Sequence, residues 1–288
     1  METAFSVTDL EFTYPKAKSQ VINGISFDVN EGEIFGLLGP SGAGKSTVQK
    51  ILTKLLTNYE GKISFFGEDL KFLSKEFYEY IGVGFELPIS FGKLTALENL
   101  KFFSSLYKNQ VDYNELLKRV DLYSDRNKKV CEFSKGMKMR LNFVRALLNN
   151  PKILFLDEVT NGLDPKNAKI IKDMILEFKE NGGTVFLTTH LMGDVEQLCD
   201  RVAFLVDGNI VEISSPRELK QKYGKRELIV EYKENKKIKS QSFAMDNLGD
   251  NQDFLTLLKD KHIETLHSGE TSLEDIFIIV AGMGLWKI

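Results

Sequence analysis

The sequence predicts an α/β protein: a core with a largely parallel sheet, an antiparallel β subdomain and a helical insertion, followed by a small C-terminal α+β domain. Three observations lead to this. Short apolar runs at 34–38, 153–156 and 184–187 alternate with segments of helical periodicity, the pattern of strands buried on both faces and joined by crossover helices. Segments 5–14 and 22–29 alternate apolar and polar residues with period two, as antiparallel strands with one wet face do. A length of 288 residues is room for one large domain and a small one, at about 150 residues per domain.

Taken in order, strands at 5–14 and 22–29 precede the buried run 34–38. A helix follows, with Val48, Ile51, Leu52 and Leu55 on one face. Residues 88–150 read as helical. Thr95 and Glu98 form a capping box ahead of Leu97, Leu100 and Phe103, and Asp112 with Glu115 repeats the device ahead of Leu116, Leu117 and Val120. Strands at 153–156 and 184–187 come next, then a hairpin over 201–213 turning at Asp207 and Gly208. A shift of composition near 223–227, after a basic stretch, places a boundary between 1–222 and 223–288. The second part reads as strands at 226–232 and 238–244, a helix at 252–259, a strand at 263–267 and a helix at 272–281.

Composition excludes several classes. Hydrophobic residues at 42% and charged residues at 27% describe a globular chain rather than a disordered one. Thirty-eight basic against 41 acidic residues leave no overall field for nucleic acid, so no nucleic-acid partner is expected. Cys131 and Cys199 lie far apart without CxxC spacing, and with only three histidines neither a disulfide framework nor a zinc site is supported. A reducing, cytoplasmic compartment is expected. The first residues lack the basic start and apolar run of a signal peptide. The longest apolar run, 276–286, is too short for the roughly 20 residues that cross a bilayer, so work at a membrane requires another chain to supply the crossing.

Four segments carry chemistry. Residues 39–47, GPSGAGKST, follow a strand and open a helix, which is the context of a P-loop. Gly39, Pro40, Ser41, Gly42, Ala43 and Gly44 let backbone N–H groups curl round phosphate oxygens, Lys45 places a charge on the β and γ phosphates, and Ser46 is a ligand for Mg²⁺. The fold class is thus a P-loop NTPase. Residues 153–158, ILFLDE, end a buried strand in two carboxylates. Asp157 is suited to Mg²⁺, and Glu158, on the other side of the strand end, to polarising the attacking water. Alone, the segment is also an ordinary buried strand entering a polar turn. His190 ends the run TVFLTTH, where its place on the same sheet edge assigns it to a hydrogen bond with the γ phosphate. Ser134 in FSKGMKMR N-caps a helix, and with the N–H groups near Gly136 it leaves an anion site at the helix start. A plain capped helix accounts for the same residues.

The ordered set Tyr14, GPSGAGKST, Glu86, FSKGMK, ILFLDE, TNGLD and TTH resembles the ATP-binding subunit of an ABC transporter over residues 5 to 222. The resemblance implies that Tyr14 stacks on adenine and that residues 39–47, Thr47 included, are the Walker A loop. It makes Asp157 and Glu158 the end of Walker B, residues 133–137 the signature, Asn161 to Asp164 the D-loop, and His190 the switch histidine. Asp164 and the signature residues Ser134, Lys135, Gly136 and Met137 then belong to the ATP site, with Glu158, His190 and Lys45 catalytic. Glu86 stands where many members have glutamine, and its oxygen reaches Mg²⁺ with an added charge. Lys135 and Met137 depart from the usual signature. These departures, with TNGLDP and SLEDIF, resemble the exporter branch that moves antibiotics, lipids or polysaccharides.

Family membership implies that the signature of one subunit closes over ATP on the Walker A of another. The expected partners are therefore a second nucleotide-binding subunit, identical or a paralogue, and an integral membrane permease. The apolar loop 85–91, FELPISF, either docks that permease or anchors the helical insertion. The expected location is peripheral, on the inner face of the cell membrane. A soluble ABC-type ATPase working mechanically on nucleic acid or ribosomes is the alternative, although the tandem cassettes or coiled-coil insertion typical of those proteins are not seen. A small-molecule kinase or GTPase fits less well, since no NKxD follows for guanine.

Overall fold

The computed structural model describes residues 2–109, 111–234 and 237–282. They fall into two compact units, 1–215 and 216–288. The break comes at Pro216, ahead of the expected 222/223, because the helix that starts there packs against the C-terminal helix of the second unit.

The first unit opens with β1 (Thr3–Phe12), β2 (Ile22–Asn30) and β3 (Ile34–Leu38). β1 and β2 pair antiparallel, and β2 buries Ile25, Phe27 and Val29 while Asp28 faces water. α1 (Lys45–Leu52) ends sooner than its periodicity predicts. Lys54 turns left-handed at φ 56° and the Leu55 N–H reaches back five residues to the Lys50 carbonyl at 2.8 Å, so Leu55 lies beyond the helix and is exposed. β4 (Glu60–Phe65), β5 (Glu68–Asp69), α2 (Phe77–Tyr80) and β6 (Ile81–Gly84) follow.

The insertion holds α3 (Ala96–Ser104), α4 (Tyr113–Arg119) and α5 (Lys135–Ala146). The box at α3 is complete: Thr95 Oγ1 accepts from the Glu98 N–H at 3.1 Å, and Glu98 accepts from the Thr95 N–H at 2.8 Å. At α4 only the cap forms. Asp112 accepts from the Asn114 N–H at 2.9 Å, but Glu115 pairs with Lys118 one turn on instead of reaching back. The unit closes with β7 (Ile153–Asp157), α6 (Pro165–Glu180), β8 (Thr184–Thr189), α7 (Met192–Leu198), β9 (Arg201–Val206) and β10 (Asn209–Ser214).

Two sheets result. One has the order β10-β9-β3-β8-β7-β6, parallel except for the β9–β10 hairpin; the other, β2-β1-β4-β5, is antiparallel. Phenylalanines fill the space between them. The Phe186 ring lies 5.8 to 6.2 Å, centroid to centroid, from those of Phe5, Phe27, Phe35 and Phe155. The second unit contains α8 (Pro216–Tyr223), β11 (Arg226–Glu234), β12 (Lys237–Ala244), α9 (Gln252–Asp260), β13 (His262–Glu270) and α10 (Leu273–Val280). Its antiparallel sheet, β12-β11-β13, is closed by a small core of Val230, Phe243 and Leu257. Of the apolar run 276–286, residues 283–286 lie outside the described residues. Among those described, no helix is long and apolar enough to cross a membrane.

Phe186→Ala removes the central ring of the inter-sheet layer. It is expected to cost about 3–5 kcal/mol, read as a lowered urea midpoint at unchanged slope.

Candidate active site

The chain leaves β3 into the 39–47 loop under tight steric limits. A Cβ on Gly39 would lie 2.2 Å from the Leu205 carbonyl oxygen, and Gly44 has φ +109° with its Cβ position 2.6 Å from Ile22 Cδ1. Only glycine fits at either place. α1 then starts at Lys45 without a side-chain cap and without an acid in its first turn. Its N–H groups are left for an anion. They face a cleft of about 710 Å³ lined by Ser41, Gly42, Gly44, Lys45, Ser46 and Thr47 on one side and by Glu86, Asp157, Glu158 and His190 on the other.

Lys45 is buried, and Nζ donates to the carbonyls of Gly39 at 2.8 Å and Pro40 at 3.1 Å. Burial holds its pKa below the ordinary lysine value, against the opposing pull of Glu158, Asp157 and Glu86. An incoming phosphate adds negative charge where desolvation most penalises the ammonium.

At the end of β7 the strand period breaks. Alternation would send Glu158 to the opposite side from Asp157. Instead Glu158 takes φ 50°, a left-handed conformation that non-glycine residues adopt only when their surroundings hold them there, and both carboxylates line one cleft. The Glu158 N–H donates to the Thr188 carbonyl at 2.9 Å. Its carboxylate accepts from the Thr189 hydroxyl at 3.2 Å and lies 2.7 Å from His190 Nδ1. With Nδ1 protonated, His190 donates to Glu158 and keeps Nε2 for a ligand. The Thr188 hydroxyl donates to Asp157. Tyr14 closes the far wall, its hydroxyl 3.0 Å from Thr47 Oγ1 and its ring edge-on to Phe12.

The hard oxygens of Ser46, Glu86 and Asp157 share this cleft, a donor set that fits Mg²⁺. Among the described residues no three His, Cys, Asp or Glu side chains come together as a metal site.

Ser134, Lys135, Gly136, Met137 and Asp164 do not line the cleft. Ser134 caps α5, accepting from the Met137 N–H at 3.2 Å. Asp164 caps α6, accepting from the Asn167 N–H at 3.0 Å, and bonds from Asn167 hold its carboxyl below the usual range. Thr188, Thr189 and Gln49 are further residues of the site: the Thr188 hydroxyl also lies 3.2 Å from Gln49 Oε1. The paired threonines before His190 were the signal for them. A second hollow, of about 740 Å³, is lined by Lys152, Asn181 and Thr184 at the opposite edge of the sheet and holds none of the motif residues.

In the loop 85–91, Leu87 is 77%, Ile89 57% and Phe91 48% exposed. Its backbone is nonetheless held: Asn142 donates to the Phe85 carbonyl at 2.7 Å, Asn99 accepts from the Phe91 N–H at 2.8 Å, and Arg145 donates to the Ile89 carbonyl.

The architecture matches known proteins. A family model described as "ABC transporter" matches residues 22–161. A fluoroquinolones export ATP-binding protein of Mycobacterium tuberculosis is 49% identical over 281 residues, covering 97% of this chain and 93% of its own. The chain belongs to the ATP-binding subunits of ABC transporters. A bacitracin transport ATP-binding protein of Bacillus licheniformis is 39% identical over 217 residues, 74% of this chain and 70% of its own. A model described as "Fluoroquinolone efflux ABC transporter C-terminal domain" matches residues 226–270. Among solved structures, the ATP-binding subunit of an ABC transporter aligns at TM-score 0.70 and 28% identity, over 77% of this chain and 93% of that one. A dimeric cassette in a post-hydrolysis state with ADP and Pi aligns at TM-score 0.67 and 27% identity, over 73% and 98%.

This ATP-binding subunit hydrolyses ATP at an interface between two nucleotide-binding domains and drives a separate membrane permease. Its relatives are transport subunits, which does not favour the mechanical, nucleic-acid-directed alternative. Replacing Lys45 by alanine is expected to weaken ATP binding or turnover by about 10- to 100-fold, the scale of a lost charge-assisted contact, as measured by nucleotide titration and phosphate release.

Proposed function

We propose that the protein is the ATPase of an efflux system for planar aromatic drugs of the fluoroquinolone class, peripheral on the inner face of the cell membrane. The cargo class rests on the names of the relatives matched over nearly the whole chain and on the C-terminal match at 226–270; residues 223–288 serve as an accessory domain. One observation carries the mechanism. Lys45, Ser46, Asp157, Glu158 and His190 meet in a single cleft that residues 134–137 do not reach, so the signature that completes it belongs to a second subunit.

In this reading Tyr14 stacks on the base, and the N–H groups of the 39–47 loop and Lys45 hold the phosphates. Ser46, Asp157 and Glu86 hold Mg²⁺, which neutralises phosphate charge when bound. Glu158 orients the attacking water and takes its proton, and His190 fixes the Glu158 carboxylate while presenting Nε2 to the γ phosphate. Ser134, Lys135, Gly136, Met137 and Asp164 of each subunit act on the ATP of the other. ATP holds the two subunits together, and loss of the γ phosphate releases them. The exposed side chains of Leu87, Ile89 and Phe91 on a pinned backbone support a permease contact at residues 85–91.

Glu158→Gln is expected to slow hydrolysis by about 10²- to 10⁴-fold while ATP drives dimer formation in light scattering; a monomer that still binds ATP overturns the shared site. Leu87→Asp with Ile89→Asp is expected to abolish co-purification with the permease from membranes and leave ATP binding intact. Co-expression with that permease should raise survival on fluoroquinolones, and unchanged survival removes the cargo assignment.

A further inference from the structure

Two chain segments converge on the pair Glu158 and His190: the turn after β7 and the segment after β8. Glu158 is held in the left-handed region, and two residues on, the buried Thr160 donates its hydroxyl to the carboxylate of Asp194. Asp194 sits in the first turn of α7, four residues beyond His190. Its other oxygen accepts from Lys172 Nζ of α6 at 3.2 Å, and Lys172 also donates to Gln197 Oε1 at 2.7 Å. The side chains of Lys172 and Asp194 are only 17% and 13% exposed, so water screens the pair weakly. Asp194 does not line the nucleotide cleft. It ties the turn after β7, α6 and α7 at one point.

We infer that Asp194 is a positioning residue for hydrolysis: by holding Thr160 and Lys172 together it sets the separation of Glu158 and His190. The inference rests on the roles proposed above for those two residues. A carboxylate charge-paired on one side and hydroxyl-bonded on the other resists displacement in both directions. Without it the Glu158 turn keeps its backbone bond to Thr188 and the carboxylate contacts with Thr189 and His190, but loses its fix on α6 and α7. Nucleotide binding at Lys45 and Ser46 does not pass through this tie.

The test compares variants of the full chain by steady-state hydrolysis and by titration with a fluorescent ATP analogue. Thr160→Val, nearly isosteric, is expected to lower kcat about tenfold with the analogue's Kd within about twofold of the parent. Thr160→Ser, which keeps the hydroxyl, returns kcat to within about twofold. Asp194→Ala combined with Thr160→Val should be no slower than the slower single variant, since both break one tie. Equal losses in the serine and valine variants, multiplying effects in the pair, or Kd rising in step with the fall in kcat would each overturn the inference. If Asp194→Ala fails to fold, the two Thr160 variants decide alone. Glu158→Gln run alongside separates the two levels: turnover at the parent rate there removes the role of Glu158 itself, whatever Asp194 does.

Discussion

The parallel ladder of β3, β8 and β7 is the constraint from which the site follows. Leu38 pairs with Thr189, and Asp157 with Thr188, so three strands end at one level and one edge. Their next residues are the phosphate loop, the Glu158 turn and His190. None of these is near another in sequence. The register of backbone hydrogen bonds is what brings them to one cleft, and a one-residue slip of β7 would turn its side chains to the opposite faces. The phenylalanine layer behind the sheet supports that register, because in it Phe155 and Phe186 pack against each other and against Phe5 of the antiparallel sheet.

Much of this was legible in the sequence, for identifiable reasons. The runs within β3, β7 and β8 are predominantly apolar, and every position of these strands is buried, since both faces are covered. The 39–47 loop announced itself because its glycines answer steric demands no other residue meets. β6 was not legible: with Gly82 and Gly84 in four residues it reads as loop, and its glycines reflect the close approach of α5, where a Cβ on Gly82 would lie 1.9 Å from the Ala146 carbonyl. That is a tertiary fact with no local trace. The end of α1 was missed because Leu55 keeps the helical spacing while Lys54, a residue with no local signal for it, turns left-handed. The left-handed backbone of Glu158 was not legible, because glutamate rarely adopts that conformation and only tertiary contacts hold it there.

Charge in the cleft is arranged for a ligand that brings both signs. Lys45 is the cation that three carboxylates address, and it spends its hydrogen bonds on loop carbonyls. A triphosphate alone would set its charge against Glu86, Asp157 and Glu158. A triphosphate accompanied by a divalent cation lowers that repulsion and meets the uncapped start of α1.

The helix α5 joins two ends of this subunit. Its first turn carries Lys135, Gly136 and Met137, capped by Ser134, and its last turn carries Arg145, whose guanidinium grips the Ile89 carbonyl. Twelve residues of helix span about 18 Å and do not compress. In the proposed dimer, a displacement imposed on residues 134–137 would therefore be carried by a rigid rod to the loop 85–91, with no melting or refolding of the helix between them.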